Sequence, residues 1–322
     1  MFHFDRGLKL TKADLAVDFK RRMPRGFISH AHNDHMARHQ YALCTPATAR
    51  LYQHRLGVRD VLELPYRSPV EWGGLRLTTF PAGHCLGSAM LLAEDGDQSL
   101  LYTGDFKLTE SLTCERAELP KADILVIEST YGQPAYRFAP REELVGQLIE
   151  AVRSALERGQ TPVVEAYALG KAQEVTKLLT THGVPVLQTK PVFEISQVYE
   201  ACGMPLGNYV LFEGLPREGH ALVAPPGAHR GSNLQGIRRL CRIAVTGWSL
   251  DRNSHRRYGF DHAIPLSDHA DFNELLEAVA RVDAREVHCT HGPESFVDEL
   301  RSRGVNAYRL GVPASQRERL LF

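Results

Sequence analysis

The sequence has no long apolar run. Nowhere do its 322 residues hold the roughly eighteen consecutive apolar positions that a membrane span needs. The start, Met1-Phe2-His3-Phe4-Asp5, has no apolar core of signal-peptide length. Charge of one sign is not in excess either, since 38 Lys and Arg face 38 Asp and Glu. Global charge therefore announces no nucleic-acid binder, and any such function rests on local charge. Cysteine is sparse, and the six, at positions 44, 85, 114, 202, 241 and 289, include no CxxC pair. They read as buried free thiols in a reducing cytoplasm, which is the expected location. Internal repeats and low-complexity stretches are missing. So is a phosphate loop. Gly170-Lys171 invites that reading, but Glu165 stands where the first glycine belongs and Ala172 where a magnesium-holding Ser or Thr belongs. The turn retains only the general capacity of backbone N–H groups to meet a phosphate.

What the chain does have is Gly26-Phe27-Ile28-Ser29 running into His30-Ala31-His32-Asn33-Asp34-His35. The apolar start reads as a buried strand and the rest as a polar loop. Three imidazoles and a carboxylate within six residues suit zinc, or manganese as a harder alternative. The alternation of His30 and His32 on an extended backbone aims both at one ion. Asp34 and His35, adjacent in sequence, aim elsewhere, towards a second. Asp18 closes the preceding strand, Leu15–Phe19, and reads either as a turn residue or as a carboxylate orienting a ligand histidine.

Further strands end in the same manner. Leu75–Phe80 leads to Gly83-His84-Cys85-Leu86-Gly87, where glycine lets backbone approach a site closely. Ser99–Thr103 leads to Gly104-Asp105, and Ala122–Ile127 to Glu128-Ser129-Thr130-Tyr131-Gly132. Thr45-Pro46 opens a helix that Gly57 closes. From Pro140 the texture changes to alternating helices (140–158, 171–181) and strands (161–166, 184–188, 209–212, 221–224, 241–246), the pattern of a second α/β unit with a parallel sheet. Ala263–Leu266 then leads into Ser267-Asp268-His269-Ala270-Asp271, a helix follows over 273–282, and strand 286–289 runs into Thr290-His291-Gly292.

The HxHxDH run, His84 in its glycine loop and Asp105 resemble the ligand order of the metallo-β-lactamase superfamily. Glu128, His269 and His291 resemble motifs A, B and C of its β-CASP nucleases, and Ala168–Glu174 resembles the start of their inserted unit. That group includes RNase J, the cleavage-and-polyadenylation endonuclease and the Artemis-type DNA nucleases. The compact length and the VTGW…PLSDHADF run resemble most the bacterial ligase-associated DNA exonucleases. The resemblance implies an α/β fold: an αββα metallo-β-lactamase sandwich of residues 1–135 and 262–322, with a β-CASP α/β cap domain inserted over 136–261. Carried over by position, one divalent ion (Zn2+ or Mn2+) would take His30, His32 and His84, and a second Asp34, His35 and His291, with Asp105 bridging. A two-ion clamp of this kind suits in-line displacement at a phosphate. His269 would be a general acid oriented by Glu128.

The implied function is a two-metal phosphodiesterase degrading DNA from an end, a 5′-to-3′ exonuclease in DNA repair. Its partners would be DNA, single-stranded or with a free 5′ end, and, functionally, a DNA ligase and other repair proteins, with no membrane. The alternative is an RNase J-like or cleavage-factor-like ribonuclease. A small-molecule hydrolase of the lactamase or glyoxalase type leaves motifs A to C unexplained. Expected substrate contacts are Thr130, Tyr131, Lys171, Arg230, Arg252, Arg256 and Arg257. The last four belong to a stretch, 228–260, with seven arginines and one acid, a candidate rail for a phosphate backbone. Trp248 and Tyr258 within it are candidates for stacking a base, Trp248 being read first as a core residue.

Overall fold

Alternation of apolar residues along the second sheet of the first unit determines its layering. In the strands Ser99–Tyr102 and Ile124–Glu128, Leu100, Tyr102 and Val126 face one layer, and Leu101, Leu125 and Ile127 face the other. The computed structural model describes residues 1–5, 7–228, 234, 237, 239–250 and 259–311. Arg230, Arg252, Arg256, Arg257 and Tyr258 lie outside the described residues. The chain divides into two compact units, one of Met1–Glu110, Cys114–Arg137 and His269–Phe322, the other of Ser111–Thr113 and Phe138–Asp268.

The first unit has two sheets. One orders Phe2–Phe4, Leu8–Leu10, Leu15–Val17, Arg25–Phe27, Tyr41–Cys44 and Val61–Glu63 side by side. The other orders Ala307–Arg309, Glu286–Thr290, Ile124–Glu128, Ser99–Tyr102, Ala89–Glu94, Leu75–Pro81 and Val70–Trp72. Leu15, Phe27 and Leu43 of the first meet Leu77, Leu91, Leu100 and Val126 of the second in one core. Each fully buried leucine there contributes about 1.5–3 kcal/mol. Helices Phe272–Val282 and Glu294–Ser302 supply Phe272, Leu275, Phe296 and Leu300 to the core on the far side of the second sheet. Helix Pro46–Leu56 connects two parallel strands of the first sheet and buries Ala49, Leu51 and Tyr52 outside the shared layer. The order helix, sheet, sheet, helix is the αββα sandwich.

The second unit is a six-stranded, all-parallel sheet in the order Tyr209–Leu211, Val186–Gln188, Ala221–Ala224, Thr161–Glu165, Leu240–Val245, His262–Ile264. Its two faces are buried in separate cores, one holding Val164, Val223 and Ile243 with helix residues Leu148, Val152 and Leu179, the other Val163, Leu187 and Leu222. Burial on both faces is the rule for parallel sheets.

Three features differ from the sequence reading. Residues 190–201, unassigned there, form a helix with Thr189 at its N-cap and Pro191 in its first turn, where a missing N–H costs nothing. Strand His262–Ile264 pairs with Leu240–Val245, so the chain leaves the second sheet after 264 rather than before 262. Trp248 is not a core residue: it sits in a 3-10 turn, Gly247–Leu250, and is 44% exposed.

Candidate metal centre

Sheet topology assembles the site. Strands Ser99–Tyr102, Ile124–Glu128 and Glu286–Thr290 are neighbours and parallel. Their carboxyl ends therefore lie on one edge, and the residues just beyond or at those ends are Asp105, Glu128 and His291. Two glycines allow the loops to close together. A Cβ on Gly83 would lie 2.2 Å from the Lys107 carbonyl, and one on Gly292 would lie 2.0 Å from the Ser129 carbonyl. The His84 loop thus nests on the Asp105 loop, and the His291 loop on the Glu128 loop. Two site residues, Asp18 (φ 51°) and His291 (φ 56°), adopt left-handed backbone conformations uncommon outside glycine. Such strain persists where surrounding structure imposes it.

Ligand atoms of His30, His32, His84 and Asp105 lie within 4.8 Å of one another, as do those of His35, Asp105 and His291. Asp105 is common to both groups. Its Oδ2 stands 3.6 Å from His30 Nε2 and 3.2 Å from His35 Nε2. His84 Nε2 is 3.1 Å from His32 Nδ1. Asp34 is placed differently from its neighbours. Its side chain is 61% exposed, with Oδ2 3.8 Å from His35 Nε2, and among the described residues it joins neither group.

Asp18 is the anchor. Its Oδ1 accepts the Ser29 backbone N–H (2.8 Å), and its Oδ2 accepts the Ser29 hydroxyl (2.5 Å), the Tyr102 hydroxyl (2.8 Å) and His35 Nδ1–H (2.8 Å). With its O–H donated in a hydrogen bond to Asp18, the Ser29 hydroxyl oxygen accepts from His30 Nδ1–H at 2.9 Å. One carboxylate thereby fixes the tautomers of two histidines and turns both Nε2 atoms towards Asp105. Ser29 and Tyr102 are site residues that sequence reading misses. Tyr102 ends an apolar strand and reads as core, and nothing local announces a partner 84 positions away. Arg55, on the last turn of helix Pro46–Leu56, donates to the Ala31 carbonyl between the first two histidines and is likewise unannounced.

The charge balance favours a cation. Burial first, then His35, His84 and His32, hold the His30 imidazole well below its ordinary pKa, so it is a neutral donor. Burial opposes charge on His35, yet Asp105 and Asp18 override it and hold that imidazole well above its usual value. Burial would likewise raise the Asp105 carboxyl, but His35 and His269 outweigh it and hold it well below the usual carboxylate range. His30 Nε2 is buried and meets no hydrogen-bond donor. A buried lone pair left so costs about 1–3 kcal/mol. Neutral imidazoles around an ionised carboxylate, one with an unmet lone pair, fit a divalent ion, which would take the place of the His35 proton. The donors are nitrogen and oxygen, a set that suits divalent transition ions.

Beside this cluster stands His269. Its Nδ1 is 3.0 and 3.2 Å from the two Glu128 oxygens, and its ring centroid is 4.7 Å from that of His84. Glu128, almost wholly buried, also accepts the Phe106 backbone N–H (2.9 Å) and the Thr130 hydroxyl (2.5 Å). Tyr131 is buried against Tyr136 and lies 6.1 Å from the His269 ring. Thr130 and Tyr131, expected to touch substrate, thus face Glu128 and His269 in the structure. Asp271, in the same motif as His269, caps helix Phe272–Val282: it accepts the Glu274 backbone N–H while the Glu274 side chain returns the bond.

Lys171 is placed in the second unit at 1% exposure, with its ammonium 3.4 Å from Glu174 and 3.6 Å from Asp268. Arg141 reaches the same Glu174 at 2.9 Å. The N–H groups of its turn are also engaged, Gly170 with the Gln173 side chain, Lys171 with the Leu169 carbonyl and Ala172 with the Tyr167 carbonyl. The turn that suggested a phosphate cradle is closed on itself.

No family model matches the chain. It is 34% identical over 312 residues, 96% of its length, to the probable DNA ligase of Opitutus terrae, of which it spans 31%. It is 35% identical over 319 residues to endoribonuclease YSH1 of Yarrowia lipolytica, covering 80% of this chain and 38% of that one. Cleavage and polyadenylation specificity factor subunit 3 of Dictyostelium discoideum is 37% identical over 149 residues, 45% of this chain and 19% of that protein. The chain thus spans at most about two-fifths of the curated relatives named here. Fold and similarities together define a metallo-β-lactamase-fold protein with an inserted β-CASP unit. Among the described residues no helix is long and apolar enough to cross a membrane.

Proposed function

We propose that the chain is a two-metal phosphodiesterase that degrades DNA from an end, in the 5′-to-3′ direction, in DNA repair. The observation supporting it best is the His269–Glu128 pair beside the clustered imidazoles. His30, His32 and His84 with Asp105 would hold one divalent ion, and His35 and His291 with Asp105 a second, with Asp34 closing that set by a change of side-chain position. Bound there, the ions would polarise the phosphate and acidify water. The protein's own groups do the rest. Glu128 takes the Nδ1–H of His269 and aims Nε2, which delivers a proton to the departing 3′-oxygen. Phe106 N–H and Thr130 keep Glu128 in place.

DNA is favoured because the similarity covering 96% of the chain is to a protein named as a probable DNA ligase, a match that supports a ligase as functional partner in repair. The second reading is a ribonuclease, favoured by the match to an endoribonuclease over 80% of the chain. Digestion of matched 5′- and 3′-labelled DNA and RNA strands with zinc, manganese or EDTA separates the two. The expected result is DNA shortened from its 5′ end in a reaction that EDTA abolishes. RNA cut at least as fast as DNA, or ladders growing from the 3′ end, would overturn the DNA-end reading.

A further inference from the structure

Large aromatic rings are costly to leave in water, and the second unit leaves two in corresponding places. Tyr167 is 53% exposed and Trp248 is 44% exposed. Tyr167 lies two residues beyond strand Thr161–Glu165, and Trp248 three beyond strand Leu240–Val245. These strands are parallel neighbours, with Glu165 opposite Ala244, so both rings follow carboxyl ends on one edge of the sheet. The chain leaves the two strands in opposite directions. From Thr161–Glu165 it passes through helix Lys171–Thr181 to Val186–Gln188, on the Ala221–Ala224 side; from Leu240–Val245 it passes to His262–Ile264 on the other side. The region outside the carboxyl ends, where strand connections diverge, is the place where open parallel sheets bind ligands.

Both aromatic residues sit on pinned backbone. The Tyr167 carbonyl accepts Ala172 N–H at 3.0 Å, and the turn holding Trp248 is closed by Ser249 N–H to the Thr246 carbonyl at 3.0 Å. A ring on fixed backbone loses little freedom when something stacks on it. The flat partner that suits a ring within an arginine-rich stretch is a nucleobase. The sequence from 228 to 260, within which Trp248 falls, has seven arginines and one acid. We infer that Tyr167 and Trp248 form a stacking platform for unpaired bases of a single strand. Phosphate contacts hold a backbone without regard to pairing, whereas stacked rings need bases released from a duplex. The platform therefore selects single-stranded over duplex nucleic acid. The inference rests on the nucleic-acid reading proposed above and adds the two ring positions that would tell a single strand from a duplex.

Trp72→Phe leaves Trp248 as the sole tryptophan, since the chain has two. That variant, otherwise intact, is titrated with phosphorothioate-linked single strands of DNA and RNA, an abasic strand of equal length, and a duplex. Tryptophan emission reports stacking, and anisotropy of a labelled strand reports binding. Base-bearing single strands should change Trp248 emission and abasic strand or duplex should not, with DNA and RNA alike. Tyr167→Ala should weaken binding of the base-bearing strand roughly 5- to 100-fold and leave abasic affinity unchanged, and Tyr167→Phe should restore it. Strands that bind without changing the emission, or Tyr167→Ala weakening abasic and base-bearing strands equally, would overturn the platform and spare the nuclease. Failure to bind any strand would overturn both readings.

Discussion

Asp105 is the residue on which the two donor groups depend, because its carboxylate alone belongs to both. Asp105→Ala should lose activity and lower metal content while the fold survives, since the apolar layers on either side of the second sheet are intact. Elemental analysis finding two ions still bound in that variant would refute its bridging role. His269 should behave in the opposite way. Its Nδ1 is engaged by Glu128, so His269→Ala should keep its metal while turnover falls roughly 10²–10⁴-fold. Loss of an ion from that variant would make His269 a ligand. At this scale the sequence pointed to His30, His84, Asp105 and Glu128 because each stands at or just beyond a strand end, and the structure clusters their side chains around Asp105. The sequence was illegible where a hydroxyl inside an apolar strand, Tyr102, reaches across the fold to Asp18. Asp18 itself stayed undecided between turn and orienting carboxylate until four donors could be seen converging on it.

Strand and helix ends explain the second unit's polar interior. Glu165 closes strand Thr161–Glu165 almost wholly buried, and Arg242 of the adjacent strand donates to its Oε1 twice, at 3.0 and 2.8 Å. Gly227 N–H takes the other oxygen at 2.8 Å, and the guanidinium lies 4.5 Å from the Phe260 ring centroid. Arg242, one of the arginines of the basic stretch, is thus spent on the fold. Arg242→Met should destabilise the second unit by about 3–5 kcal/mol, because it strands a buried carboxylate. Adding Glu165→Gln should recover part of that loss, read as the midpoint of urea unfolding. Recovery of nothing would mean the pair's geometry, rather than its charge, is what matters. Sequence pattern identified the parallel strands well, since buried strands are short apolar runs. It could not show that the Lys171 ammonium lies beside Glu174 and Asp268, because a lysine after a strand looks the same whether it faces phosphate or a pair of buried carboxylates. Nor could it find helix 190–201, whose start Thr-Lys-Pro and mixed faces give a weak period.

The proposed ligands His30, His32, His35, His84, Asp105 and His291 all fall in the first unit. The boundary was only partly legible, because one α/β unit inserted in another changes neither composition nor texture where the chain returns; strand His262–Ile264 belongs to the second unit by its pairing and by the burial of Ile264 in that unit's core. If divalent ions bind at His30, His32, His35, His84, Asp105 and His291, they stabilise the folded first unit by mass action, about 2.7 kcal/mol at a hundred times the dissociation constant and about 4.1 at a thousand times. Chelation removes that term. Native-state hydrogen exchange before and after EDTA treatment should therefore show lost protection in strands Ser99–Tyr102, Ile124–Glu128 and Glu286–Thr290, whose ends carry the donors. Strands Thr161–Glu165 and Ala221–Ala224, centred in a sheet with its own two cores, should keep theirs. Equal loss in both sets would mean that the units open as one, and loss confined to the second would place the ions elsewhere. Restoring zinc, or manganese in a parallel sample, should return protection to the first set alone. The ion that restores it at the lower free concentration is the one the donor set prefers.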